Sequence, residues 1–137
     1  MSLVVQIVPL EYVHSVFEHV MEYIDNALQY SHGDYTLDEA RVYIANGDWQ
    51  LMIAVDEDNT VHGCAVISYF NRPRARVAYV IAAGGKFITD KDVIQQFFGL
   101  LKMRGATCAE AATRNAMAKL LKRCGFAEKY RIVECDL

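Results

Sequence analysis

The segment Arg76–Asp92, RVAYVIAAGGKFITDKD, decides the architecture. From Val77 to Ala83 it carries no charge, contains Val, Ile and Tyr, and has the length of a strand. Such a run predicts a strand buried on both faces. Gly84-Gly85 interrupts it, and helical spacing resumes only after Asp90. A strand, a glycine turn and a helix in succession present backbone N–H groups to an anion, because glycine accepts angles that other residues resist.

Upstream of that strand, Trp49–Val55 and Val61–Phe70 flank the polar turn DEDNT, which predicts a hairpin. Asn71–Arg74 turns again around Pro73 into the strand from Ala75 to Ala83. Further back, Val4–Val8 is β-branched and closed by Pro9. Glu11–Asn26 carries apolar residues at 12, 13, 16, 17, 20, 21 and 24, the stripe of an amphipathic helix. QYSHGDYT is a loop by composition. Thr36, with Glu39 three residues on, forms a capping box that opens a helix over Leu37–Asn46.

Downstream, Asp92–Arg104 is helical and ends at Gly105; Ala106–Ala112 is a strand. Arg114–Cys124 is a helix with Met117, Leu120, Leu121 and Cys124 inward, and Gly125 supplies a left-handed C-cap. Tyr130–Leu137 is the final strand. The order β-α-α-β-β-β-α-β-α-β implies an α/β mixed sheet with helices on both faces, and a parallel crossover from Val77 to Ala106.

A chain of 137 residues, 53% apolar, with eight Tyr and six Phe, is one packed domain over 1–137. No apolar run is long enough to span a bilayer, and MSLVVQIVPLEYV lacks the pattern of a secretory signal, so a cytoplasmic protein with no membrane partner is expected. A net charge of −3 argues against nucleic acid as a partner. Cys64, Cys108, Cys124 and Cys135 form no CxxC pair and are expected to be reduced and mostly buried, with no metal site.

The element order is that of the GNAT (N-acetyltransferase) fold, and the ending GATCAEAATRNAMAKLLKRCGFAEKYRIVECDL resembles the end of that superfamily: a helix, Gly-Phe, a last strand. The chain is more specifically similar to a group of small GNAT-like proteins from bacteriophage genomes. The likeness lies in GDYTLDEA (Gly33–Ala40), NGDWQLMIAV (Asn46–Val55), Arg72–Arg74, Gly84-Gly85, and Arg114 through Gly125-Phe126 to Asp-Leu. It implies transfer of an acetyl group from acetyl-CoA to an amine on a small molecule or protein. It implies a location in the host cytoplasm or the virion, and is compatible with a homodimer and with a phage or host protein partner. The alternative is a non-catalytic GNAT-fold structural or protein-binding module.

The resemblance also nominates residues. Acetyl-CoA would lie where the Val77 strand parts from the Ala106 strand, held by Ile81, Ala83, Gly84, Gly85, Lys86, Arg114 and Asn115. Gly84-Gly85-Lys86 is a rewritten phosphate loop or a plain turn. Arg114 meets an anion, pairs with Glu110, or is solvated. Glu110 stands where such enzymes place a general base, or points to a rim. Tyr79, and by type Tyr69, are proton donors or core residues. Tyr30, His32, Asp34 and Tyr35 form a substrate loop or a surface loop. The family's Q/R-x-x-G-x-G/A loop falls on Gly85, Ile88 and Asp90, and its thiolate-protonating Tyr on Leu121. His14 with Glu18, and Lys119, Lys122 and Arg123, read as solvated helix faces.

Overall fold

The computed structural model describes residues 2–30 and 33–137. Strand β1 (Val4–Ile7) leads through a short 3-10 turn (Leu10–Tyr12) into α1 (Val13–Leu28). Then come α2 (Leu37–Ala45), β2 (Gln50–Val55), β3 (Val61–Arg72) and β4 (Ala75–Gly85). The chain continues with α3 (Lys91–Met103), β5 (Cys108–Glu110) and α4 (Asn115–Lys122). The sheet order is β1-β2-β3-β4-β5; the first four strands are antiparallel to their neighbours, and β4 and β5 are parallel.

Period-two alternation sorts the strand side chains into two cores. On one face α1 and α2 bury Phe17, Val20, Ile24 and Ile44 against Leu51, Ile53, Cys64 and Val66. On the other, α3 buries Val93, Ile94, Phe97 and Leu101 against Val5, Met52, Ala65, Ile67 and Ala78. Each large apolar side chain so removed from water contributes about 1.5–3 kcal/mol. The Thr36–Glu39 capping box forms as expected, with Thr36 Oγ1 accepting from the Glu39 N–H at 3.1 Å and Glu39 Oε1 from the Thr36 N–H at 3.2 Å.

Four expectations need correction. Gly84 and Gly85 lie inside β4, not after it, because β3 continues beside them: Cys64 pairs with Gly84 and Gly63 with Gly85. The strand is not buried throughout; Val77, Ala78 and Ala82 are, while Tyr79–Ile81 are half-buried because β5 covers only its lower end. The strand expected over Ala106–Ala112 shortens to Cys108–Glu110. The final strand over Tyr130–Leu137 does not form: residues 127–137 lie exposed and carry no sheet pairing. Tyr, Ile and Val suit a strand there, but a strand exists only through its neighbours. The cysteines also differ from expectation, with Cys64 buried, Cys124 half-buried, and Cys108 and Cys135 exposed.

Candidate active site at the parting of two strands

Two features of β4 create an opening. The first is a bulge. Val66 pairs with Ala82 and Ile67 with Val80, so Ile81 is an extra residue on β4. The second is the short partner: β4 and β5 pair at Val77–Cys108, Ala78–Ala109 and Tyr79–Glu110, and then separate. Above Tyr79, the β5-facing backbone edge of β4 has no strand neighbour among the described residues. The top of this V holds a cavity of about 150 Å³ lined by Ala83, Gly84, Gly85, Ile88, Thr89, Met117 and Leu120.

The glycine pair is explained by packing. A Cβ on Gly84 would stand 2.9 Å from the Tyr23 carbonyl oxygen. Gly85 has a φ of +67°, and a Cβ there would meet the His62 carbonyl oxygen at 2.4 Å. Both residues therefore let α1 and β3 approach β4 closely; they also leave the cavity wall without side chains.

Four amino acids, Lys86–Thr89, then turn the chain toward α3. The Lys86 N–H donates to the His62 carbonyl (2.9 Å), while the N–H groups of Phe87, Ile88 and Thr89 donate to nothing among the described residues. Asp90 caps α3, its Oδ1 accepting from the Asp92 N–H at 2.9 Å and the Val93 N–H at 3.1 Å. A carboxylate thus holds the anion position at the start of α3. The start of α4 has no such cap: Arg114 is its N-cap without a side-chain bond, and Asn115 is its exposed first residue.

Below the V, Tyr79 and Glu110 share a register position. Burial pushes the Tyr79 hydroxyl pKa up, and the nearby Tyr35, Asp34 and Tyr130 add to this, while the Ala112 backbone beside it pulls the other way. Tyr79 therefore stays protonated at neutral pH, with the loop residues Asp34 and Tyr35 within electrostatic range. Glu110 is claimed by Arg72, which makes a bidentate pair with it, the Nη2–Oε1 arm at 3.0 Å. Tyr130 donates to the same carboxylate at 3.4 Å. The Arg72 hydrogen bond chiefly holds Glu110 below the ordinary carboxylate pKa, which weakens it as a base.

Arg114 does not pair with Glu110, which Arg72 holds; it is exposed, with its guanidinium 3.9 Å over the Tyr30 ring, joining the end of α1 to the start of α4. Tyr69 stands on β3 opposite Ala78, packed on the α3-side core with its hydroxyl 2.6 Å from the Gln50 amide. His32 lies outside the described residues. His14 is exposed, and Glu18 faces its neighbour His19 at 3.4 Å. Among the described residues no three His, Cys, Asp or Glu side chains converge on a metal position, and no helix is long and apolar enough to cross a membrane.

Sequence reasoning missed the Arg72–Glu110–Tyr130 cluster, which joins residues 38 and 58 positions from Arg72. It also missed the Ile81 bulge, whose only local sign is a strand that outlasts its periodicity.

No protein-family model and no curated protein matches this chain in sequence. Solved structures do match in shape. An aminoglycoside acetyltransferase from an uncultured soil metagenomic sample superposes with a TM-score of 0.71 at 13% identity, over 100% of this chain and 99% of that one. A predicted acetyltransferase from Clostridium acetobutylicum, crystallised with acetyl-CoA, gives 0.66 at 13% identity, over 98% and 96%. Glucosamine-6-phosphate N-acetyltransferase from Arabidopsis thaliana gives 0.62 at 10% identity, over 99% of each chain. At such identities the likeness shows the fold, which is that of the GNAT acyltransferases.

Proposed function

We propose that this protein is an acyltransferase that takes an acetyl group from acetyl-CoA to an amine, with the donor lying in the V between β4 and β5. The observation that carries this reading is the parting of the strands after Tyr79–Glu110, which leaves a backbone edge and a cavity at Ala83–Gly85. The pantetheine arm carries amides that suit an unpaired strand edge, so the β4 backbone from Ile81 to Ala83 is the proposed contact. The diphosphate end fits less fully. Asp90 already takes two amides of α3, which leaves Lys86, the N–H groups of Phe87–Thr89 and the uncapped start of α4 at Asn115 as donors. Arg114, stacked on Tyr30 at the same helix start, keeps its in-plane N–H groups as further donors.

When bound, acetyl-CoA supplies an acyl group already activated as a thioester. The chain's own contribution is positioning, which can provide much of the rate. Tyr79 keeps its proton and can donate a hydrogen bond to the sulfur as it takes on charge. Asp34, near Tyr79, attracts a cationic acceptor, and Tyr30 and Tyr35 wall its approach. Glu110, held by Arg72, orders the branch point, and water takes the acceptor's proton.

The test is release of free thiol from acetyl-CoA across a panel of small amines and lysine peptides. Turnover with at least one amine, reduced about 100–1,000-fold by Tyr79→Phe, is expected for loss of a hydrogen-bond donor to the developing charge. A second reading rests on the Asp90 cap and on Leu121 being a buried core residue where a family tyrosine would stand. It makes the fold a binding module without chemistry. Absence of both turnover and acetyl-CoA binding selects that reading.

A further inference from the structure

A second cavity, of about 300 Å³, lies where β1 runs out and β2 begins, and shares no lining residue with the V. Ile7, Leu10, Val13, Ile44, Trp49 and Leu51 give it apolar walls, which Gln50 and Arg104 interrupt. With its oxygen facing Arg104, the Gln50 amide accepts from Nη2 at 3.1 Å and Nε at 3.2 Å, and its NH2 group donates to the Tyr69 hydroxyl at 2.6 Å. The reverse orientation would set NH2 against the guanidinium, donor against donor. A second guanidinium, that of Arg76, lies 5.4 Å over the Tyr69 ring and donates to the Arg104 carbonyl at 3.4 Å. Burial raises the Tyr69 pKa, and Arg104 and Arg76 pull against it, so both charges act on the same hydroxyl. Among the described residues neither arginine has a carboxylate partner. The edge of β1 adds a donor. The Val8 N–H reaches the Leu51 carbonyl at 2.9 Å, so alternation turns the Ile7 N–H away from β2. Gln96 covers that edge at Leu3 and Val5, and among the described residues nothing covers it at Ile7.

We propose that this cavity binds a small organic carboxylate with an apolar chain, the chain between Ile44, Trp49 and Leu51 and the carboxylate on Arg104. Charge complementarity selects the head group. Two guanidinium groups stand together without a carboxylate, in a chain whose net charge is −3. The planar fork of an arginine matches a carboxylate. Arg104 is the C-cap of α3, where the helix dipole favours a cation, but the dipole does not account for an apolar hollow beside it. The walls select the rest of the ligand, since a wholly polar anion would leave them unfilled. Size selects its length. At ~30 Å³ for a water-sized group, the cavity holds about ten, the number of non-hydrogen atoms in octanoate. The inference does not depend on any chemistry in the V.

Trp49 is the single tryptophan of the chain, so its emission reports on the cavity directly. The test is titration of the whole chain with sodium octanoate, octan-1-ol and sodium acetate, followed by Trp49 fluorescence and by calorimetry. Octanoate should saturate one site below about 1 mM. Octan-1-ol should bind about tenfold more weakly, for want of a charge-assisted hydrogen bond, and acetate should give no response. Arg104→Gln should weaken octanoate about tenfold and leave octan-1-ol unchanged. Leu10→Asp, at a wall position 58% exposed, should abolish octanoate binding. Both side chains lie at the surface, so both variants should unfold as cooperatively as the parent; should Leu10→Asp fail to fold, Arg104→Gln alone decides. No response of the parent to octanoate overturns the proposal. Equal binding of octanoate and octan-1-ol overturns it too, as does an Arg104→Gln chain that binds octanoate like the parent.

Discussion

The two sides of β4 differ in how they are finished. Toward β3 the ladder runs unbroken, apart from one bulge, from Arg72–Ala75 to Gly63–Gly85, and helices cover both of its faces. Toward β5 it lasts three residues, and the helix that follows buries one side chain fully, Leu121. The closed side satisfies its backbone internally and carries the stability. The open side leaves backbone groups without a strand neighbour among the described residues, and apolar residues such as Ile132 and Val133 exposed. Fold and function have separate supports here, and substitutions should reveal that separation.

The largest effect is expected on the closed side. Phe17, 2% exposed under the Arg41 guanidinium, should cost about 3–5 kcal/mol as Phe17→Ala in denaturant unfolding. Leu121→Ala on the open side should cost nearer 2 kcal/mol, the low end for a buried leucine. Equal losses would erase the contrast. Next comes Gly85→Ala. The left-handed backbone and the 2.4 Å approach to the His62 carbonyl make it destabilising by about 2–3 kcal/mol, whether or not a ligand is present.

Asp90→Ala sharpens the comparison, because its two consequences have opposite signs. Loss of the cap should cost about 1 kcal/mol of stability. Removing the carboxylate should also free two amides and tighten acetyl-CoA, as read by calorimetry. The smallest effect concerns pH. Glu110 has its pKa lowered in the folded state, chiefly by Arg72. Its pairing contribution is therefore complete above the ordinary glutamate pKa and is lost as pH falls through the lower folded value. An exposed pair contributes little to global stability. The expected readout is local: the Tyr130 ring should loosen from the sheet in that acid window, seen by NMR, and should do so at neutral pH in Arg72→Gln.

The closed side was legible because its signals are local. The α1 stripe at 13, 17, 20 and 24, the Thr36–Glu39 box and the DEDNT hairpin each follow from residues close in sequence, and they agree with one another. The open side was legible in order but not in detail. Gly84-Gly85 reads as a turn from sequence, because nothing local reveals that Gly63 will sit beside it. Residues 130–137 read as a strand because propensity reports fitness for a pleat, not the presence of a neighbour. At the site, Tyr79 and Asp34 were both nominated, and Asp34 lies within electrostatic range of Tyr79. The readings of Arg114 as an anion contact, a Glu110 partner or a solvated residue did not include its stack on Tyr30, and the Arg72 that claims Glu110 ends β3 with no chemical signature of its own.

The most direct test is isothermal calorimetry of acetyl-CoA against the parent chain and against Ala83→Trp, which fills the V while leaving the β3–β4 ladder in place. One-to-one binding to the parent, absent in a variant that still unfolds cooperatively, is the predicted result. No heat of binding to the parent, or equal binding to both chains, would contradict the account.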